Sequence, residues 1–319
     1  MDNLDIIVQT KFGSHLYGTS TPDSDVDYKG VFMPSPRQIC LGQIPKSHNH
    51  MTRPNKADGI KNTSDDVDTE IYSLHYFVKL ALEGQTVALD MLHAPDDMIL
   101  TCSPLWDEIV LNRKKFYTKN LKAFIGYARR QASKYGIKGS RLNAAKLVVD
   151  YLEHFNNSDK LSTAWKDLPS GDHLHLLGIN QNGIQQYQVC GKTLQETQTI
   201  GYTIEILKRF YKEYGKRAEL AAQNKGIDWK AVSHALRAAY QVRQLLVEGT
   251  IVFPLKEANY LRKVKQGLTN YASDAAPTLE RVMEEVEGLS LKSTLPEKSD
   301  YKFWNNFLEE KVRKHVLQS

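Results

Sequence analysis

The sequence predicts an α+β fold, with a small mixed sheet near the N-terminus and helices after it. Three features point there. Short β-type runs occupy the first hundred residues, irregular or helical stretches separate them, and beyond about residue 115 apolar residues recur at spacings of three and four. A chain of 319 residues is long enough for two ordinary domains. The change of period places them at 1–115, an α/β module, and 116–319, a helical module.

Taken in order, residues 4–10 (LDIIVQT) read as a buried strand and 26–33 (VDYKGVFM) as an alternating one. Residues 34–66, with four prolines, read as a long loop. Strand character returns at 67–72 (VDTEIY). Ser73 then fits the cap of a helix that Gly84 ends. Helical period follows over 115–135, 141–155, 203–221, 229–249 and the tail 299–317. Near 172–191 the alternating stretch HLHLLGINQNGIQQYQV turns at Asn182-Gly183, which predicts a β-hairpin inserted among the helices.

Composition excludes several classes. No apolar run approaches the 18 residues of a membrane span, so no membrane partner is expected. The first ten residues carry two acids and no basic region, unlike a secretion signal. Three widely spaced cysteines fit reduced thiols in the cytoplasm better than a disulfide framework. A net charge of +5 permits a polyanionic partner without requiring one.

The stretch with most chemistry in it is GSHLYGTSTPDSDVDYKG, residues 13–30. Side chains at i and i+2 of a strand share a face, so Asp25 and Asp27 converge. Paired carboxylates repel unless a cation joins them, and hard oxygen ligands suit Mg²⁺, which completes its shell with water and phosphate oxygens. Gly13 and Ser14 close the first strand. A glycine there lets backbone approach an anion, and a hydroxyl with exposed N–H groups can hold phosphate oxygens. Lys29 lies on the same strand face as Asp27. Metal-binding acids beside a phosphate cradle are the parts of phosphoryl or nucleotidyl transfer.

Gly13-Ser14, ten residues, then Asp25-x-Asp27 resembles the signature of the polymerase-β-type nucleotidyltransferase superfamily. The longer string GSHLYGTSTPDSDVDYKGVFMP is similar to its branch associated with RNA repair and RNA ligases, as are stretches within 66–95 and 230–256. Three positions depart from that pattern. Gln85-Thr86 follow Gly84 in place of Asn-Pro, and Asp90 replaces a glutamate.

The resemblance implies a palm-like catalytic domain and two Mg²⁺ (or Mn²⁺) ions. It implies transfer of a nucleoside monophosphate from a nucleoside triphosphate such as ATP to an acceptor hydroxyl, with release of pyrophosphate. It also implies a third carboxylate on a neighbouring strand, for which Asp68 is the first candidate and Glu70 the second. The catalytic and metal-binding set is then Asp25, Asp27 and Asp68, and the nucleotide-binding set Gly13, Ser14, Ser24 and Lys29. His234 and Arg237, one turn apart, are candidates to reach the nucleotide from the helical module. Arg129, Arg130, Lys134, Lys138 and Arg141 form a candidate RNA-binding stripe. The acceptor expected is an RNA end in repair or tailing, with an RNA ligase as candidate partner. Transfer to a small molecule or a protein side chain, and nucleotide or RNA binding without turnover, are the competing functions.

Overall fold

Ile7 and Val8 are adjacent in sequence and both buried. In the computed structural model the pairing of β1 (Asp5–Phe12) with β2 (Val26–Met33) shifts register between Ile6 and Val8, an irregularity of the kind that a bulge produces. The structure describes residues 4–52, 63, 65–119, 139–171 and 173–318.

Five strands form one mixed sheet in the order β3-β4-β2-β1-β5, where β3 is Ser47–Met51, β4 is Val67–Ser73 and β5 is Ile99–Cys102. Only β2 and β4 run parallel; every other pair is antiparallel. Strand β2 changes character along its length. Its first four residues are half-buried and polar or small, while Gly30, Val31, Phe32 and Met33 are buried. One end anchors the strand and the other is left for chemistry.

The parallel pair requires a crossover, and residues 34–66 provide it. Its described residues are less irregular than the prolines suggest. A short helix, Pro36–Cys40, is held by a reciprocal cap between Ser35 and Gln38, and β3 returns to pair with the edge of β4. The polar sequence of β3, SHNHM, has no apolar alternation to reveal a strand; backbone pairing alone makes it one.

Helix α3 (Leu74–Leu82, counting Gly13–Leu16 as α1 and Pro36–Cys40 as α2) follows β4. Ser73 occupies the cap position, but its hydroxyl makes no cap bond and donates to the Lys46 carbonyl instead. Gly84, at φ +67°, ends that helix as expected. Helix α4 (Thr86–Leu92) and helix α5 (Pro104–Leu111) complete the segment.

The chain groups into two compact units. One comprises Met1–Arg130, Trp229–Thr269 and Pro277–Ser319; the other comprises Gln131–Asp228 and Asn270–Ala276. This departs from a division at residue 115. The helices after residue 228 join the first unit, where Arg237 and Gln241 bond Asp90 and Trp304 stacks on Phe116.

In the second unit, α6 (Gly139–Leu152) and α7 (Ile200–Ala222) enclose a core with Val148, Leu161, Tyr187, Leu194 and Leu207. The hairpin expected near 172–191 is present as β6 (Leu174–Ile179) and β7 (Gln185–Val189), joined by β8 (Lys192–Gln195). Asn180 Oδ1 accepts from the backbone of Asn182 and Ile184, and Gly183 takes φ +76°.

In the first unit, α8 (Trp229–Glu248) buries Val232, Leu236, Ala239 and Val242 at helical spacing, and α9 (Ala258–Lys265) packs beside it. Helix α10 (Ala276–Lys292) and helix α11 (Tyr301–Leu317) close the chain. Trp304 of α11 is fully buried and stacks on Phe116 at 3.9 Å. Helices α9 and α10 are absent from the sequence reading. Among the described residues no helix is long and apolar enough to cross a membrane.

Below α4, His93 is buried and holds two hydrogen bonds. Its Nδ1–H donates to the Leu89 carbonyl at 2.7 Å, and the Tyr117 hydroxyl donates to Nε2 at 2.7 Å. Protonation would place a second donor opposite that hydroxyl and bury a charge, so the pKa falls from 6.5 to about 4, chiefly through burial. The contribution is therefore complete above pH 6.5 and is lost as pH falls toward 4. Denaturant titrations across that window should show acid destabilisation of on the order of 3 kcal/mol that the His93→Gln variant lacks. Equal pH slopes for the two proteins would contradict this account.

Candidate active site

Strands β2 and β4 pair in parallel with Asp27 directly beside Asp68 and Lys29 beside Glu70. Asp25 sits one residue ahead of β2. Carboxylate oxygens of Asp25, Asp27 and Asp68 lie within 4.8 Å of one another, and all three side chains are half-buried. Burial and the charges of Asp25 and Asp68 raise the Asp27 carboxyl above the ordinary range, while Lys29 and Lys230 pull it down. The trio thus carries excess negative charge in a partly desolvated place, a donor set that fits a divalent cation.

Glu70 has a different environment. It accepts from Lys29 Nζ at 2.7 Å, from the Tyr72 hydroxyl at 2.6 Å and from Ser47 Oγ at 3.3 Å, and these bonds lower its pKa against the effect of burial. Its oxygens are occupied, and Asp68 is the acid of β4 that meets Asp25 and Asp27.

Gly13 follows β1 at φ +62°, a conformation that suits glycine. A Cβ on Gly13 would collide with Oδ2 of Asp27, so the turn and the carboxylate pack against each other through the missing side chain. Ser14 Oγ is buried and makes no hydrogen bond to the described residues. Both residues line the same cavity as the trio. Ser24 does not. It accepts from the Thr21 backbone at 2.9 Å and closes the turn leading to Asp25.

The facing wall comes from helices of the same unit. Lys230, His234 and Arg237 of α8 and Lys265 of α9 line the cavity. Lys230 and Lys265 have no ion-pair partner among the described residues. Burial and the charge of Lys230 lower the pKa of Lys265. Arg237 lies over the Tyr17 ring, 3.8 Å from its centroid, and one of its guanidinium nitrogens donates to Asp90 Oδ2 at 2.9 Å.

The cavity therefore joins Gly13, Ser14, Asp25, Asp27, Lys29, Asp68, His234 and Arg237, and adds two lysines that sequence reasoning missed. Lys230 and His234 are four apart on one helix, a spacing that could have flagged the lysine; Lys265 has no local signal. Of the basic stripe, Arg129, Arg130, Lys134 and Lys138 lie outside the described residues, as does the side chain of Arg141.

Residues 2–151 match a family described as RlaP, RNA repair pathway DNA polymerase beta family. A protein of Enterobacteria phage T4, described as an uncharacterized 38.9 kDa protein in the nrdC-mobD intergenic region, is 39% identical over 325 residues. The match covers 95% of this chain and 96% of the phage protein. A crystal structure of a nucleotidyltransferase-like protein from Exiguobacterium sibiricum 255-15 aligns with 90% of this chain and 69% of its own at 7% identity. Its TM-score of 0.26 is too low for a shared architecture to be read from it. With near end-to-end similarity to the phage protein, and with the Gly-Ser and Asp-x-Asp residues inside the matched region, the chain belongs to the RNA repair pathway DNA polymerase beta family.

Proposed function

We propose that the protein is a metal-dependent nucleotidyltransferase that moves a nucleoside monophosphate from a nucleoside triphosphate to the hydroxyl of an RNA end. The observation that carries this reading is the convergence of Asp25, Asp27 and Asp68 opposite Lys230, Arg237 and Lys265. Acids that gather a cation and bases that meet phosphates, on two walls of one cavity, suit a ligand that is itself a metal polyphosphate.

Asp25, Asp27 and Asp68 would hold Mg²⁺ or Mn²⁺, two ions when the nucleotide is bound. Bound there, divalent cations supply Lewis acidity and neutralise charge on the phosphates. The Gly13 backbone gives the reacting phosphate close approach, and Ser14 Oγ offers it a hydrogen bond. Lys230 and Lys265 meet the phosphates that leave. Lys29, held by Glu70, limits the negative charge at Asp27 without filling the cavity. A carboxylate oxygen of Asp68 takes the proton of the attacking hydroxyl. These residues orient and neutralise, and no covalent bond to the chain is needed.

RNA as acceptor is supported by the family's description, which places it in an RNA repair pathway. An RNA ligase would then act on the same ends. Cys40, Cys102 and Cys190 are in no disulfide, which accords with a cytoplasmic setting. The direct test offers labelled ATP, CTP, GTP and UTP with Mg²⁺ to RNA, DNA and a cell lysate. Label on RNA supports the proposal. Label only on a small molecule or protein reassigns the acceptor, and binding without any transfer would make the protein a sensor.

Two variants test the site. Asp27→Asn should reduce transfer at least about 100-fold, because a charge needed for the cation is gone. Its metal-free stability should hold or rise slightly, since Asp25 and Asp68 lose a like-charged neighbour. Mn²⁺ should raise the unfolding temperature of the wild type and leave that of the variant unchanged. Gly13→Ala should displace the Asp27 carboxylate and add about 1–2 kcal/mol of backbone strain. Calorimetry should show weakened Mn²⁺ binding by a folded protein; wild-type binding would show that the turn has room to yield.

A further inference from the structure

Asp90 is fully buried, yet it is a carboxylate in the interior of α4 with three donors aimed at it. The Tyr17 hydroxyl donates to Oδ2 at 2.8 Å and Arg237 to Oδ2 at 2.9 Å; Gln241 Nε2 donates to Oδ1 at 2.7 Å. Burial raises its pKa, opposed by the Arg237 charge and by these bonds. Tyr17 and Arg237 line the cavity, whereas Asp90 and Gln241 do not. One carboxylate thus grips, from behind, two side chains that line the cavity.

A buried ion pair is a poor way to gain stability, because desolvation offsets most of the attraction and apolar residues of similar size often do as well. What it supplies is direction. A guanidinium is planar with fixed donor geometry, so fixing one edge sets where the others point. The Tyr17 ring beneath Arg237 removes a further degree of freedom, and that ring is itself oriented through its bond to Asp90. Gln241, one turn beyond Arg237 on α8, sets the other carboxylate oxygen.

Resting on the reading of this cavity as a polyphosphate site, we infer that Asp90 is a positioning residue, which acts through Arg237 to aim a guanidinium at the phosphates of the bound ligand. Asp90 itself touches no ligand. Its replacement therefore weakens polyphosphate binding only as far as Arg237 matters to it.

The probe is inorganic tripolyphosphate, titrated calorimetrically with Mg²⁺ present into the full-length chain, so no turnover is required. Arg237→Gln should weaken binding about tenfold, the worth of one charge-assisted contact. Asp90→Asn should weaken it to a similar degree, and the double variant should be no worse than Arg237→Gln alone. Where Asp90→Asn fails to fold, Gln241→Met replaces it. Its several-fold loss should vanish in the Arg237→Gln background, with unfolding temperature measured throughout. Additive losses, wild-type binding by Asp90→Asn or by Gln241→Met, or wild-type binding by Arg237→Gln would each overturn the inference, as would a wild type that does not bind tripolyphosphate. Should tripolyphosphate binding depend on Asp90 through Arg237 while no acceptor ever takes label, the positioning role stands and the transfer reading alone falls.

Discussion

The parallel register between β2 and β4 is the constraint on which the site depends. Asp27 meets Asp68 because Val26 pairs with Val67, and the ladder holds through Phe32 and Ser73. A slip of one residue would turn one acid to the opposite face of the sheet and expose apolar side chains from the far end of the strand. Gly30 resists such a slip. It stands where a Cβ would meet the Val8 carbonyl at 2.7 Å and Ile71 at 2.8 Å, so β1, β2 and β4 approach closely around it. The buried end of β2 fixes the position of its charged end.

The cavity sets acids on one wall and bases on the other. Asp27 is raised and Lys265 is lowered, in each case the direction of a group giving up its charge. The two walls feel each other at a distance but form no direct ion pair between Lys230 or Lys265 and Asp27 or Asp68 among the described residues. Held apart, the two sets of charges stay available at one cavity, as the proposed metal polyphosphate would require.

Much of this was legible in the sequence, and the reason is locality. Asp25, Asp27 and Lys29 share a face by strand period, and Gly13-Ser14 ends the strand that pairs with theirs. The polar edge strand β3 escaped notice because nothing in SHNHM alternates in hydrophobicity. Lys230 and Lys265 escaped because α8 and α9 reach the sheet only through tertiary packing. Asp90 and Gln241 are 151 residues apart, and no periodicity links them. The same long-range contacts explain why the first compact unit gathers helices that the change of period had assigned to a separate module.

The acids of DDVDTE show how a fold distinguishes residues that the sequence leaves alike. Asp66, Asp68 and Glu70 fall on one face of an ideal strand, so spacing alone cannot choose among them. Asp66 precedes β4, is buried, and accepts from the Thr63 backbone at 2.8 Å, which closes the turn into the strand. Glu70 lies deeper in the sheet, where Lys29, Tyr72 and Ser47 converge on it. Asp68, between them, has as its lateral neighbour another acid, Asp27. A carboxylate beside a cation is satisfied; a carboxylate beside a carboxylate needs a cation from outside. The register that supplies Lys29 to Glu70 is the same one that denies a cation to Asp68, and the alternation of partners across a single strand pair separates a structural acid from one suited to hold a metal.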